Sequence, residues 1–231
     1  PALRNTIIIS AWKMALHLLV PVIVSILLNE IQSNAFRRIS QTLIYLPHFL
    51  SWIILAGILI DLLSPNGGLV NRLLGLFGAE PIFFLGSNKW FRFTLVFTDV
   101  WKEFGFGTIV YLAAITNIDP TQYEAATIDG ANRFQRIMHV TVPNMRMIIV
   151  LMMVLSLGNV LNAGFDQVYN MYSPIVYQSG DIIDTMVYRL GLENAKYGPA
   201  AAVGIFKSVV SMVFISASYY VADRFFDYRL F

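Results

Sequence analysis

The sequence contains no cysteine and unusually little charge. Its 231 residues include 16 Lys and Arg, 14 Asp and Glu, and no Cys. The absence of cysteine excludes disulfides, thiolate metal sites and cysteine nucleophiles. Charged residues make up 13% of the chain, whereas a typical globular domain has about 25%. So few ionic groups cannot cover a water-exposed surface of this size, which argues against a soluble enzyme and against a disordered chain.

Other functional signals are missing as well. The net charge of +2 is small and dispersed, which argues against nucleic-acid binding. The three histidines do not have metal-ligand spacing, no His-Glu-x-x-His motif occurs, and no Gly-x-x-x-x-Gly-Lys-Ser/Thr phosphate loop is present. We therefore expect no metal site, no cofactor and no ATP site in this chain. The start at Pro1 lacks the pattern of a signal peptide.

The hydrophobic residues, 57% of the chain, are concentrated in long blocks. A membrane-spanning helix needs about 20 mostly apolar residues. Five stretches meet this length: Ile7–Leu28, Leu43–Leu63, Phe93–Ile115, Met147–Asp166 and Val203–Val221. None alternates polar and apolar residues, so a membrane β-barrel is disfavoured and a helical bundle is expected. The sequence predicts an all-α, polytopic transmembrane bundle forming a single domain over residues 1–231.

The basic residues do not orient this bundle. Cytoplasmic connections usually carry an excess of Lys and Arg. Here these residues are divided almost evenly between the two sets of connections. Charge alone therefore leaves both orientations open.

The polar connection from Asp119 to Pro143 carries explicit helix signals. Asp119 is a good N-cap, Pro120 suits the first helical position, and Gln122 completes a capping-box pattern. Gly130 can adopt the left-handed geometry that ends a helix. The pattern predicts a short helix that ends at a tight turn.

The same connection predicts a second short helix. Asn132 and Gln135 repeat the capping pattern and predict a helix over Arg133–Val140, with Pro143 marking its end. Small residues on the first helix would allow close docking into a partner's groove: Ala125, Ala126 and Ala131. The alternative is that the segment is only a well-capped connecting loop.

Several fixed positions of this segment match a known family. Glu124-Ala125-Ala126-x-x-Asp129-Gly130-Ala131, followed by Ile137, Val140 and Pro143, resembles the EAA loop of binding-protein-dependent ABC importer permeases. Ile137 stands where an aromatic residue is common. Four further stretches are similar to the LplB-like branch, which is associated with complex oligosaccharide uptake: Tyr45–Trp52, Ser64–Gly68, Pro81–Gly86 and Asp99–Lys102.

The resemblance implies a fold, an orientation and partners. It implies the MetI-like fold of type I importer permeases, usually with six spans, so a sixth span is expected before Pro1. It places the EAA loop in the cytoplasm, docked to an ATPase dimer that binds the ATP and Mg. It also implies a second permease, giving a heterodimer, an extracytoplasmic substrate-binding protein, and surrounding lipid of a bacterial cytoplasmic membrane. The residues implied in ATPase coupling are Tyr123, Glu124, Ala125, Ala126, Asp129, Gly130 and Ala131.

Polar residues inside the fourth predicted span are the sharpest candidates for a substrate path. Four of them follow at helical spacing and would share one face: Ser156, Asn159, Asn162 and Asp166. Such a face should line a water-filled route, where amides and carboxylates can bond to sugar hydroxyls. The alternative is that the two asparagines hold neighbouring helices together.

The third predicted span carries a second polar cluster. Trp101 can stack on a sugar ring, and Glu103 can accept hydrogen bonds from hydroxyls. The alternative is an ion pair between Asp99 and Lys102, or a position near the outer interface. Two isolated lysines, Lys13 and Lys207, are expected to snorkel or to pair with Asp99, Glu103 or Asp166.

Three other functions stay open at this level. A permease of the same superfamily for amino acids, peptides or metals would share the EAA loop. An intramembrane enzyme would need a nucleophile–base pair or metal ligands, and the sequence suggests neither. A channel would not need a capped, alanine-lined docking loop.

Overall fold

The computed structural model describes the backbone of residues 1–226 and the side chains of residues 1–217 and of Tyr220. All regular structure within residues 1–226 is helical. The α-helices, in chain order, are α1 Ala2–Asn29, α2 Asn34–Tyr45, α3 Trp52–Leu62, α4 Leu69–Leu76, α5 Phe91–Thr116, α6 Pro120–Ile128, α7 Arg133–Arg136, α8 Val142–Leu157, α9 Phe165–Met171, α10 Tyr177–Gly180, α11 Ile183–Tyr188 and α12 Tyr197–Phe226. Short 3₁₀ turns occupy Leu46–Phe49 and Pro174–Val176, and π turns occupy Ile137–Thr141 and Arg189–Glu193.

The long helices agree with part of the predicted membrane pattern. Within the described residues, three helical segments are long and apolar enough to span a membrane: Ala2–Asn29, Arg133–Leu157 and Tyr197–Ala217. The first and last contain most of the first and fifth predicted spans. Val221, the last residue of the fifth predicted span, lies outside the described side chains.

The second predicted span, Leu43–Leu63, is wrong as one continuous helix. The segments Asn34–Phe49 and Trp52–Leu62 meet at 102°. Pro47 lies in the 3₁₀ turn, and Ser51 caps the next helix by accepting a hydrogen bond from the Ile54 amide at 3.3 Å. Because proline removes one helical hydrogen bond and serine starts a new helix, the chain bends sharply here.

The third predicted span forms one helix, α5, of 26 residues. Near its middle it carries Asp99, Lys102 and Glu103, and it is not among the three described segments that are apolar enough to span a membrane. Charges within a membrane helix need partners or water. The contacts of these three residues therefore determine whether this helix can lie within a membrane.

The fourth predicted span, Met147–Asp166, is wrong in its second half. Helix α8 ends at Leu157, and α9 begins at Phe165 after Gly164 adopts a left-handed φ of +86°. Gly158 and two asparagines lie in the gap, and Gly and Asn are poor helix formers. The predicted stripe of four polar residues on one helical face therefore does not exist.

The chain divides into two compact units, each built from separate pieces of sequence. Unit 1 contains Pro1–Met14, Leu50–Asp99 and Gly158–Ser216. Its buried apolar residues include Ile9, Leu55, Leu95, Leu161, Val168 and Ile182. Polar groups are buried among them in bonded pairs; for example, the Asn5 amide donates to the carbonyl oxygen of Asp181 at 2.9 Å and accepts from Arg92 at 2.7 Å.

Unit 2 contains Ala15–Phe49 and Val100–Leu157. Its core consists of Tyr111, Ile115, Ile118, Val140 and Met145, with Leu18, Val22 and Ile26 packed against them. The connection from Asp119 to Thr141 is anchored to this core. The prediction of a single domain over residues 1–231 stays a prediction.

Candidate functional site

The first helix of the polar connection, α6, begins with the predicted Asp119 cap but without the predicted capping box. Asp119 accepts a hydrogen bond from the Thr121 amide at 2.9 Å, and this bond lowers the pKa of the Asp119 carboxyl. Gln122 does not complete a capping box. Its side-chain oxygen instead accepts a hydrogen bond from the Asn144 amide group at 2.8 Å, so it links α6 to α8.

The turn that ends α6 depends on Gly130. This glycine has a φ of +79°, as predicted for a left-handed helix end. The Ala131 amide donates to the Ala126 carbonyl at 2.9 Å, and the Gly130 amide donates to the Thr127 carbonyl at 3.1 Å. These two bonds form a Schellman motif. A residue with a Cβ would be strained at this φ.

The second helix starts as predicted but does not end at Val140. Asn132 and Gln135 form a reciprocal capping box, with bonds of 2.9 and 2.8 Å. The helix then passes through a π turn over Ile137–Thr141 and continues to Leu157. Pro143 lacks an N–H group and would clash with a carbonyl four residues earlier, and a widened turn just before it accommodates the ring.

Helix α6 is attached to the following helix by side-chain contacts. The hydroxyls of Tyr123 and Thr141 are 2.9 Å apart, and Arg136 donates to the Thr127 hydroxyl at 3.1 Å. Tyr123 and Ala126 also pack against the core of unit 2. Tyr123 therefore positions the loop, and its coupling role stays a prediction.

The other face of the loop is exposed. Glu124 and Ala125 face solvent, and the Glu124 side chain has no hydrogen bond or ion pair to any described residue. Two large apolar side chains, Ile128 and Phe134, are 86% and 70% exposed. Neither was predicted as part of the site, although large apolar residues in a polar loop are a sequence signal of an exposed interaction surface.

A hollow of about 250 Å³ lies beside this face. It is lined by Ala126, Asp129, Gly130, Ala131, Gln135, His139 and Val140. The structure thus brings four predicted coupling residues, Ala126, Asp129, Gly130 and Ala131, to one concave surface, next to the exposed Glu124.

A second site, the polar pocket, lies in unit 1. It has a volume of about 400 Å³ and is lined by Gly158, Asn159, Leu161, Asn162, Phe165, Asp184, Lys207 and Ser211. Asn159 and Asn162 meet in this pocket because they lie in the non-helical turn after α8. Lys207 pairs with Asp184 within the pocket. A partner for Lys207 was predicted, but Asp184 was not among the predicted partners.

The remaining members of the predicted stripe lie elsewhere. The Ser156 hydroxyl donates to the Met152 carbonyl of its own helix at 2.7 Å, and Ser156 is not among the residues that line the pocket. Asp166 is exposed in the first turn of α9.

In the cluster on the third predicted span, Trp101, Lys102 and Glu103 belong to unit 2, whereas Asp99 belongs to unit 1. Glu103 accepts a hydrogen bond from Lys102 at 2.7 Å and lies 2.6 Å from Nδ1 of His48. Lys102 also donates to the His48 carbonyl at 2.9 Å, and the His48 ring stacks on Phe106 with centroids 4.1 Å apart. These contacts therefore stabilise the bend after α2. Trp101 is 41% exposed.

Comparison with known proteins identifies the family. Residues 11–227 match the family described as "Binding-protein-dependent transport system inner membrane component". The chain belongs to this family. It is an inner-membrane transport subunit, hereafter the permease, and not an enzyme.

Two relatives from Bacillus subtilis (strain 168) resemble the permease over nearly its whole length. The polygalacturonan/rhamnogalacturonan transport system permease protein YteP is 39% identical over 223 residues, covering 96% of this chain and 70% of YteP. Protein LplB is 40% identical over 229 residues, covering 99% of this chain and 72% of LplB. The resemblance to the LplB-like branch is confirmed.

Solved structures confirm the predicted MetI-like permease fold. A bacterial ABC transporter that imports the acidic polysaccharide alginate matches with a TM-score of 0.93 and 39% identity, over 97% of this chain and 78% of that chain. A second alginate transporter structure, in complex with an alginate pentasaccharide-bound periplasmic protein, matches with a TM-score of 0.92 and 39% identity over 96% of this chain and 77% of that chain. An amino acid ABC transporter at 13% identity has a TM-score of 0.56 and supports the fold alone.

Proposed function

We propose that the permease forms half of the translocation path of an ATP-driven importer for an oligosaccharide or polysaccharide fragment. A binding protein delivers the fragment from outside, and a similar second permease completes the path as a heterodimer. A separate ATPase dimer binds ATP and Mg. The names of YteP and of the two alginate importers support a glycan substrate.

The main support for this proposal is the exposed and conformationally fixed surface of the loop Asp119–Pro143. A Schellman turn and a capping box hold α6 and α7 in one arrangement. Their outer face presents Glu124, Ile128 and Phe134 to solvent. Large exposed apolar side chains rimmed by polar residues are found at protein interaction sites.

The attachment of α6 explains how such a loop transmits force. Tyr123 and Gln122 bond to the helix that follows, and that helix continues from Arg133 to Leu157 without a break. A push on α6 from a closing ATPase dimer would therefore move the membrane helix with it. The loop acts as a rigid lever, which requires it to face the cytoplasm.

The polar pocket of unit 1 is our candidate for contact with the transported glycan. Asn159, Asn162 and Ser211 offer donors and acceptors to hydroxyl groups, and Phe165 offers an apolar face. Trp101, Glu103, Ser156 and Asp166 remain candidate path residues.

A charge reversal tests the coupling surface. The permease is produced with its second permease, ATPase and binding protein, and the complex is reconstituted in proteoliposomes. Glu124→Lys should abolish binding-protein-stimulated ATP hydrolysis and uptake, while the chain still inserts. The matched control is Glu80→Lys, another exposed glutamate that lies outside the loop and should behave as wild type. Normal uptake by Glu124→Lys would refute the coupling assignment.

A panel of substrates tests the path. Wild-type proteoliposomes are assayed with labelled pentasaccharides of galacturonan, rhamnogalacturonan and alginate, and with labelled amino acids and dipeptides. Uptake of a glycan supports the proposal. Uptake of only an amino acid or peptide would favour the non-sugar permease.

A further inference from the structure

Three aromatic rings of unit 1 pack against one another next to the polar pocket. Phe165 stacks on Tyr169 with ring centroids 5.3 Å apart. Tyr188 contacts both, with its centroid 5.4 Å from that of Phe165 and 4.7 Å from that of Tyr169. The rings come from α9 and α11, so the folded unit assembles them from separate helices.

Two more rings extend this group. The Tyr169 centroid is 6.1 Å from that of Tyr172, which stacks on Tyr177 at 5.2 Å. The guanidinium of Arg189 lies 4.5 Å from the Tyr177 centroid and is held by an ion pair with Asp181 at 2.7 Å. The far end of the group is therefore fixed in place.

We call these five residues the aromatic strip: Phe165, Tyr169, Tyr172, Tyr177 and Tyr188. All five are partly exposed, neither buried in the core nor fully open. Rings left partly exposed keep some of their faces and edges available to a ligand.

The strip leads into the polar pocket. Phe165 belongs to both, since it lines the pocket together with Asn159, Asn162 and the Lys207–Asp184 pair. Aromatic faces and hydrogen-bonding groups thus follow one another along a continuous surface of unit 1.

From this continuity we propose that the aromatic strip binds successive sugar rings of an oligosaccharide as it passes to or from the polar pocket. A sugar ring has an apolar C–H face that packs on an aromatic ring, and hydroxyls at its edge that bond to amides and tyrosine hydroxyls. The inference rests on the proposed glycan transport and adds the residues that contact the glycan.

Ring removal tests the strip. Tyr169→Leu keeps an apolar side chain but loses the ring, whereas Tyr169→Phe keeps the ring. In reconstituted transporter, Tyr169→Leu should raise the KM for uptake of a pentasaccharide about two- to tenfold, with a smaller effect on a disaccharide, which covers fewer rings. Tyr169→Phe should stay close to wild type. Phe93→Leu, which removes an exposed ring outside the strip, is the matched control.

The absence of cysteine allows a second measurement. Single cysteines replace Tyr188 or Phe93 in the otherwise cysteine-free chain, and a small thiol reagent labels them in the complete transporter. The pentasaccharide that is taken up, supplied with its binding protein, should slow labelling at position 188 and leave position 93 unchanged.

The outcomes separate this inference from the proposed function. If a glycan is transported but Tyr169→Leu leaves its KM unchanged and labelling is not slowed, the strip is not a binding surface. If Tyr169→Leu and Tyr188→Leu instead lower copurification of the second permease, the strip is a subunit interface and the inference is wrong. If no glycan is transported, the proposed function fails first.

Discussion

The ammonium group of Lys13 lies 3.1 Å from a carboxylate oxygen of Asp99, and both side chains are almost completely buried. Lys13 also donates to the Ala163 carbonyl at 2.8 Å and to the side chain of Gln167. The Ala163 carbonyl lies in the non-helical turn after α8. One lysine therefore connects three segments of unit 1 and supports the turn that carries Asn159 and Asn162.

Replacing Lys13 should destabilise the permease strongly. Lys13→Met removes the cation beside a buried carboxylate and leaves the Ala163 carbonyl without this donor. Removing one partner of a buried pair costs about 3–5 kcal/mol. We expect a large loss of thermal stability, measured for the purified transporter by the temperature at which it aggregates in detergent.

The matched control is the Lys207–Asp184 pair, whose side chains are 24% and 23% exposed. Because water screens a more exposed pair, Lys207→Met should cost less, about 1 kcal/mol. Equal losses of thermal stability in the two variants would show that the buried Lys13–Asp99 pair stabilises the permease no more than the more exposed pair does.

Gly130→Ala should impair coupling through backbone strain alone. An added Cβ at Gly130 would meet no atom of the described residues within 4 Å, but the φ of +79° disfavours any residue with a side chain, by about 1–2 kcal/mol. The strain should loosen the Schellman turn and lower ATP hydrolysis stimulated by the binding protein.

Gly78 provides a close control for this variant. It has a φ of +76°, also has no atom within 4 Å of an added Cβ, and lies outside the loop. Gly78→Ala should carry similar strain but leave coupling intact. If both variants lose coupling to the same extent, the effect is general destabilisation.

Gly105→Ala should disrupt unit 2. An added Cβ there would overlap the backbone carbonyl of Ile44, which cannot move aside easily. Overpacking of this kind costs about 1–3 kcal/mol or more. Gly57→Ala is the contrast, since nothing lies within 4 Å of its added Cβ, and alanine stabilises a helix interior by about 0.5–1 kcal/mol. Unchanged stability of Gly105→Ala would mean that α5 and α2 can separate freely.

The hydrogen bond between Tyr123 and Thr141 should hold α6 to the helical segment Arg133–Leu157 that follows it. Tyr123→Phe removes one partner and should lower the transport yield per ATP hydrolysed, because a loosened α6 moves without the helix that follows. Thr141→Val should have a similar effect, and the double variant should be no worse than either single one. Additive losses would show that the two hydroxyls act independently.

Local signals explain why the coupling loop was largely predictable. The Asn132–Gln135 box, the Asp119 cap and the turn at Gly130 each depend on residues within a few positions of one another. The sequence-based predictions fail where a residue distant in sequence competes for the same side chain. Gln122 bonds to Asn144, which is 22 residues away, rather than to the nearby helix start.

The end of α8 shows that partners distant in sequence also limit the prediction of the membrane helices. Spacing alone favoured a helix through Asp166, but the carbonyls of Val160 and Ala163 instead accept hydrogen bonds from Ser10 and Lys13, about 150 residues earlier. Backbone groups in a membrane protein can leave a helix only where other protein groups satisfy them. Those groups are visible only once the chain has folded.

The sequence by itself determined the membrane class, the helical content, the capped loop and the resemblance to importer permeases, because composition, caps and turns are local properties. Tertiary structure alone decided the end of α8 at Leu157, the polar pocket around Asn159 and the pairing of Lys13 with Asp99. Each of these depends on satisfying a polar group or a bend by residues distant in sequence, and no local pattern encodes that choice.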